Sequence, residues 1–398
     1  MEITPRYLVM VTPDNHNKFY HMTPEGASFT VTYGRVGQSQ QTTSYPISQY
    51  EKKYKEKIKK GYRDVSDLRQ DLVTEQPTGE AAYKPVDIPS VQEVLEYLMS
   101  VSRDAVFKNY TVTSASVTQA MVDEAQKTLD ELTAADTMER FNEILLRLFA
   151  VIPRRMGQVS PYLAKSQTDF TDIILREQNT LDTMAGQVFV KAAVQSENHS
   201  EITIPESMGI EIRETTPEEV RIILAAMNES NSHYSRSWAV TNYRTQENYD
   251  QYIHEHNIET TKLLFHGSRN ENWISILSKG LMIRPSNAVF TGNAFGNGIY
   301  FAPKCQKSIG YTSLSGSYWA KGKSNKAYMA LYETAYGNPY YLYDYSSETA
   351  RMSEEYLLNK TPACNCLHAK ADKGMLRNDE IIFYTPRQMT VRYLIEIE

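Results

Sequence analysis

Alternating apolar positions mark the first stretch of the chain: Asn17-Lys18-Phe19-Tyr20 and then Phe29 to Tyr33 predict strands, with Gly34-Arg35-Val36-Gly37 as a turn ahead of a basic helix. The alternation stops in a polar, turn-rich run at Glu75-Gln76-Pro77-Thr78-Gly79, which predicts a linker. Helical spacing follows. Ser90 and Glu93 make a capping box ahead of Val91, Val94, Leu95 and Leu98, and Ser116 with Gln119 opens a helix carrying Met121, Ala125, Leu129 and Leu132. Asp136 and Glu139 start a third, bearing Phe141, Leu145, Leu148, Phe149 and Ile152 and stopped by Pro153. From about residue 200 the two periods mix. Ile210 and Ile212 read as a strand, Thr216-Pro217-Glu218-Glu219 as a helix start, and Trp273, Ile274 and Leu277 as one face of a short helix ended by Gly280. At the end, Val391, Tyr393, Ile395 and Ile397 fall on one strand face, and Arg392, Glu396 and Glu398 on the other.

These patterns predict an α+β multidomain chain. A small β-rich domain covers 1–75, a linker 76–84, an all-α helical bundle 85–198 and a mixed α/β domain 199–398. The 398 residues exceed one ordinary compact unit, and 41% hydrophobic content suffices for several cores.

Composition narrows the setting. Cys305, Cys364 and Cys366 are too few and too late for a disulfide framework, which favours a reducing, intracellular compartment. Cys364, Cys366 and His368 lack a fourth ligand, so no metal is expected. With no long apolar run and no basic-then-apolar leader, neither membrane insertion nor secretion is expected, and the Asn198-His199-Ser200 triplet is read as idle. A net charge of -6 argues against a chain that coats nucleic acid over its whole surface. The charge is uneven, however: Glu51 to Arg63 holds seven basic side chains against two acidic ones.

Three short runs in the last third are candidates for chemistry: His266-Gly267-Ser268, Gly298-Ile299-Tyr300-Phe301-Ala302, and Asn378-Asp379-Glu380. Each alone reads as ordinary structure; their order and fillers, Asn272, Lys307, Ser308 and Tyr311, distinguish them. Gly292, Gly296 and Gly298 are spaced wrongly for a dinucleotide-binding fingerprint, and Tyr300 continues into an apolar strand.

The combined string resembles the signature of the poly(ADP-ribose) polymerase family. The resemblance implies NAD+ as substrate and a mixed α/β ADP-ribosyltransferase fold. Breaking the nicotinamide–ribose bond develops positive charge on the sugar, which calls for a carboxylate and a firm grip on the ribose hydroxyls. Glu380 is expected to supply the first and His266 the second, with Tyr300 and Tyr311 as faces for the nicotinamide ring. The resemblance further assigns the carboxamide to the Gly267 backbone and the Ser308 hydroxyl, places Ser268 and Asn272 toward the adenosine end, and adds Phe301 and Lys307 to the cofactor site.

The first 75 residues resemble a WGR domain, with Tyr33 where that name has Trp. Tyr33, Gly34 and Arg35 are the expected nucleic-acid contacts, Arg35 through a phosphate. By the same resemblance the bundle is a helical regulatory subdomain that obstructs NAD+ until a DNA end is bound. The expectation is thus a transferase activated by DNA strand breaks that modifies proteins, itself included, and is monomeric without DNA. It would be nuclear in a eukaryote and cytoplasmic in a bacterium. A mono-ADP-ribosyltransferase and an inactive DNA-end-binding scaffold stand as alternatives.

Overall fold

The computed structural model describes residues 3–72, 83–111, 116–195, 202–283, 295–296, 298–344, 346, 349, 352–373 and 376–398. The expected linker run at 75–79, the triplet at 198–200 and Gly292 lie outside these residues. By contacts the chain forms two compact units, Met1–Glu80 with Asp104–Val188, and Ala81–Arg103 with Phe189–Glu398.

In the first unit, β1 (Arg6–Val11), β2 (Asn17–Glu25), β3 (Ser28–Arg35), β4 (Gln40–Pro46) and β5 (Arg63–Asp64) form a sheet in the order β4-β3-β2-β1-β5. Helix α1 (Tyr50–Lys59) lies between β4 and β5 in sequence. Successive β1 residues serve opposite faces, as strand geometry requires. Leu8 joins Tyr20, Met22, Phe29, Val31 and Tyr50 of α1, whereas Val9 joins Val65 and Ala150.

Four longer helices follow: α2 (Pro89–Asn109), α3 (Gln119–Thr133), α4 (Met138–Val151) and α5 (Phe170–Gln195). The apolar stripes of α2, α3 and α4 are those expected, whereas α5 is not among the predicted helices; the caps of the first three differ from those predicted. Thr118, in extended backbone, accepts from the Met121 amide at 3.1 Å and takes the place expected for Ser116. Thr137 does the same for α4, accepting from Arg140 and displacing Asp136. A cap must stand directly before the first helical residue to reach the amide three positions on. The Ser90–Glu93 box does not form: Ser90 donates to Glu214 at 2.5 Å, and Glu93 pairs with Arg236.

The second unit continues with α6 (Ile204–Met208), β6 (Ile210–Glu214), α7 (Pro217–Met227), β7 (Tyr234–Asn242), α8 (Tyr243–Glu255), β8 (Lys262–Gly267), α9 (Trp273–Lys279), β9 (Ile299–Phe301) and α10 (Cys305–Ile309). It ends with β10 (Ala327–Thr334), β11 (Pro339–Leu342), α11 (Glu354–Leu358), β12 (Cys366–Ala369), β13 (Glu380–Phe383) and β14 (Met389–Ile397). Two sheets result, β6-β7-β14-β10-β8 and β11-β12-β13-β9. Leu264, Ala330, Tyr332 and Leu394 of the first pack with Phe301, Cys366, Ile381 and Phe383 of the second in one core. Thr216 caps α7 in a capping box with Glu219, Pro217 opens the helix, and Gly280 closes α9 at φ 79°, all as the sequence predicts. No described helix is long and apolar enough to cross a membrane.

Strand β14 departs from its expected two-faced pattern. Leu331 pairs with Tyr393 but Tyr332 with Val391, so Arg392 is a bulge residue and the faces exchange there. Val391 joins Leu394 in the inter-sheet core, whereas Ile395 and Ile397 cover the opposite face with α7 and α10. Glu396, on the face opposite Ile395 and Ile397 as expected, is 2% exposed. It accepts from Tyr328 at 2.6 Å and pairs with Arg236 at 3.0 Å and Lys326 at 3.3 Å. Burial opposes its ionisation, but these three donors outweigh it and hold its carboxyl below the usual range.

Glu396→Gln is expected to lower the unfolding free energy by about 3 kcal/mol at pH 7, because Lys326 and Arg236 lose a buried counter-charge. A carboxyl depressed in the folded state stabilises fully above its unfolded pKa of about 4.3, and that stabilisation is lost as pH falls through the lower folded value. Denaturant titrations at pH 7 and pH 3 should therefore show a mutational gap that narrows in acid; a gap of constant size would contradict the assignment.

Candidate active site

Two backbone hydrogen bonds bring the separated runs together. The Phe265 amide donates to Ala302 at 3.0 Å and the Ala302 amide to Phe265 at 3.1 Å, joining β8 to the residue after β9. Strand β9 in turn pairs with β13, with Ile381 opposite Phe301 and Ile382 opposite Tyr300. Neighbouring strand ends thus present His266, Tyr300 and Glu380.

The His266 ring is bounded by Phe301 and Tyr332, at centroid distances of 5.7 and 6.2 Å, and its Nδ1 lies 3.4 Å from the Tyr300 carbonyl. Beside it, Gly267 has no room for a side chain: a Cβ there would stand 2.0 Å from the Ser308 carbonyl oxygen. Only glycine lets α10 lie this close to β8. The Ser308 side chain, 3% exposed, donates to the Phe265 carbonyl at 3.1 Å. Its hydroxyl already serves the β8 backbone.

Tyr300 accepts from the Phe295 amide at 3.1 Å and donates to the Gly296 carbonyl at 2.9 Å, so its hydroxyl fixes the turn that precedes its own strand. Phe301 is 2% exposed and packs edge-on to Phe383 and Tyr332, which makes it a wall behind His266. Asn272 donates to Ser268 at 3.1 Å, which ties together the two residues expected toward the adenosine end. Lys307 on α10 contacts the Glu380 carboxylate at the start of β13, both side chains being largely buried. Tyr311 is exposed by 39%; burial of its hydroxyl, reinforced by the Glu380 charge, pushes it up to about 12.

Sequence reasoning missed two features. Trp319 stacks on Tyr311 with centroids 6.0 Å apart and planes 18° apart. Nothing in the apolar spacing marks it. The second is Asp379, which accepts from Lys370 at 2.6 Å and the Ala371 amide at 2.9 Å and lies 2.9 Å from His368, whose other ring nitrogen meets the Tyr336 hydroxyl at 2.7 Å. Burial opposes ionisation of Asp379, but Lys370, Ala371 and His368 prevail and hold it at about 2. This network anchors the backbone directly before Glu380. His368 thereby belongs to a hydrogen-bonded network, and Cys366 faces the Tyr336 carbonyl at 3.3 Å. Among the described residues no group of three or more His, Cys, Asp or Glu could hold a metal ion.

In the first unit, Arg35 donates to the Asn15 carbonyl at 2.9 Å, to the Asn15 side chain at 3.0 Å and to the Gly157 carbonyl at 2.7 Å. Tyr33 leans on Tyr20 at 5.9 Å, and a Cβ at Gly34 would approach the Ser39 carbonyl to 3.0 Å. The basic helix is divided in its use. Lys57 covers the Tyr20 ring at 3.9 Å and Lys53 the Tyr45 ring at 4.6 Å, whereas Lys52, Lys55, Lys59, Lys60 and Arg63 are exposed.

Comparison with known proteins accords with this arrangement. Residues 218–398 match the family model of the poly(ADP-ribose) polymerase catalytic domain, and residues 4–69 that of the WGR domain. The chain is 33% identical over 189 residues to protein 101L of Invertebrate iridescent virus 6, covering 46% of this chain and 76% of that protein. It is 31% identical over 187 residues to the putative poly [ADP-ribose] polymerase-like 100L of the same virus, covering 47% of this chain and 97% of that protein. Against Poly [ADP-ribose] polymerase 2 of Homo sapiens it is 25% identical over 288 residues, which is 66% of this chain and 48% of the human protein. The strands that gather His266, Tyr300 and Glu380 all lie within the matched catalytic region, and the chain belongs to the poly(ADP-ribose) polymerase family, as an NAD+ ADP-ribosyltransferase.

Proposed function

We propose that the chain builds ADP-ribose polymers on proteins, itself included, and that a DNA end switches it on. The observation that carries the catalytic part is the convergence of His266, the Gly267–Ser308 contact and the Lys307–Glu380 pair at neighbouring strand ends. In this reading Gly267 offers its backbone to the nicotinamide carboxamide, and Tyr300 and Tyr311 flank the ring. His266 holds ribose hydroxyls, with Ser268 and Asn272 toward the adenosine.

The bond between ribose C1′ and nicotinamide nitrogen breaks with its electron pair leaving on nicotinamide. Glu380, gripping the ribose 2′-hydroxyl, strengthens its hold as positive charge grows on the sugar. The acceptor hydroxyl oxygen then bonds to C1′ and yields its proton to the Glu380 carboxylate. Lys307 holds that carboxylate in place until substrate takes over the contact.

The regulatory part rests on Arg35 and the exposed lysines of α1. Arg35 bonds the segment after α4 through the Gly157 carbonyl, and a DNA phosphate competing for its guanidinium would release that segment. The helices α2 to α5 serve here as the regulatory subdomain.

Labelled NAD+ incubated with the full chain should give a ladder on a gel that strengthens with nicked DNA. Arg35→Ala should blunt the DNA response and reduce the salt dependence of DNA binding by about one phosphate contact. A single shifted band would mean mono-transfer, and a ladder indifferent to DNA and to Arg35 would overturn the regulatory part alone. Glu380→Gln should cut elongation by about 100-fold while NAD+ affinity by calorimetry changes little, whereas His266→Ala should weaken that affinity. The reverse division would contradict the roles given to the two residues.

A further inference from the structure

The first half of α2 belongs with the transferase fold: residues Ala81–Arg103 group with the second unit. Val94, Leu95 and Leu98 are fully buried in the core that holds Leu264, Ala330 and Leu394. Glu93 pairs with Arg236 at 2.7 and 2.9 Å. Tyr97, four residues later and hence on the same helix face, reaches the turn after β8, where its hydroxyl accepts from the Asn270 side chain at 3.0 Å. The two residues stand 173 positions apart in sequence.

Asn270, 4% exposed, opens the turn Asn270–Asn272, whose last residue donates to Ser268. It is held at three points. Its backbone amide donates to the Ser313 hydroxyl at 2.9 Å, and its side chain donates to the Lys326 carbonyl at 3.0 Å as well as to Tyr97. Lys326 closes the arrangement, with its ammonium 4.7 Å from the centre of the Tyr97 ring and 3.3 Å from Glu396. The same ring packs on Tyr328 with centroids 5.8 Å apart. Tyr97 therefore meets Asn270 from a ring held on two sides. Taking the hydroxyl away would leave a buried amide short of an acceptor, and the turn would have to rotate to pair it again. Asn270 lies midway between Ser268 and Asn272, so rotation there moves both.

We infer that Tyr97 is a positioning residue for NAD+: through Asn270 it holds Ser268 and Asn272 at the adenosine end. The inference rests on the placement of those two residues toward the adenosine given above. It gives the first half of α2 a duty in the transferase site beside its place among the regulatory helices.

The test compares the wild-type full chain with Tyr97→Phe, Asn272→Ala, Asn270→Leu and the combination of Tyr97→Phe with Asn270→Leu. Two competitive probes divide NAD+ into its ends: ADP-ribose carries the adenosine and lacks nicotinamide, whereas benzamide copies the nicotinamide end alone. Tyr97→Phe keeps the ring and removes the hydroxyl. KM for NAD+ and the inhibition constant of ADP-ribose should rise together by about tenfold, while kcat and the benzamide constant stay within about twofold, because binding lost far from the reacting bond is lost equally in ground and transition states. Adding Tyr97→Phe to Asn270→Leu should change nothing further, since the shared bond is already gone. A merely structural role would weaken both probes equally, and that result overturns the inference. Unchanged ADP-ribose binding in Tyr97→Phe, alongside a loss in Asn272→Ala, overturns it too and leaves the adenosine placement standing. If Asn272→Ala itself binds ADP-ribose as wild type does, the adenosine placement fails and the inference falls with it.

Discussion

Strand β8 and helix α10 meet without a side chain between them, and the second unit's chemistry is organised around that contact. The Ser308 carbonyl occupies the space that a Cβ on Gly267 would need, and the Ser308 hydroxyl reaches back to the Phe265 carbonyl. The reciprocal amide bonds of Phe265 and Ala302 fix the next residue pair. Backbone hydrogen bonds at such a junction leave little freedom, because each unmade buried pair would cost about 1–3 kcal/mol. His266, Tyr300 and Lys307 are therefore set by main-chain geometry, and only their outer atoms remain to adapt.

Around this junction the buried charges divide by position. Glu396 is locked by Tyr328, Arg236 and Lys326 within the sheet, where it supports strand packing. Asp379 is locked at the entry to β13 by Lys370, Ala371 and His368. Glu380, one residue further, pairs with one lysine, Lys307, among the described residues. That contrast suits its proposed part in transfer: a carboxylate that must exchange partners during a reaction is held by one ammonium group, and its backbone is held by the neighbour.

Much of this was legible in the sequence because local rules decide it. The Thr216-Pro217 start of α7, the Gly280 stop of α9 and the apolar stripes of α3 and α4 follow from capping and spacing alone. The motif strings named His266, Tyr300, Lys307 and Glu380, but not how they meet, since the Phe265–Ala302 bridge and the β9–β13 pairing are non-local. Where the reading of Val391 failed, the cause was the bulge at Arg392, which moves it to the face opposite Ile395 and Ile397; Glu396 keeps the face read for it, but apolar residues cover both faces of β14 and bury it there. Ser90 and Glu93 satisfied a helix-start pattern, yet α2 begins at Pro89, so Ser90 lies inside the helix and turns to Glu214 while Glu93 pairs with Arg236. Trp319 and the network on Asp379 left no periodic trace because loops and a short strand carry them.

Gly267→Ala tests the central claim most directly, since it adds one methyl group at the junction and removes no functional atom. Nicotinamide release from NAD+ should fall by at least about 100-fold, as expected when reacting groups are displaced by about an ångström, while circular dichroism shows the fold retained. Turnover within a few-fold of wild type in a folded Gly267→Ala protein would contradict the account.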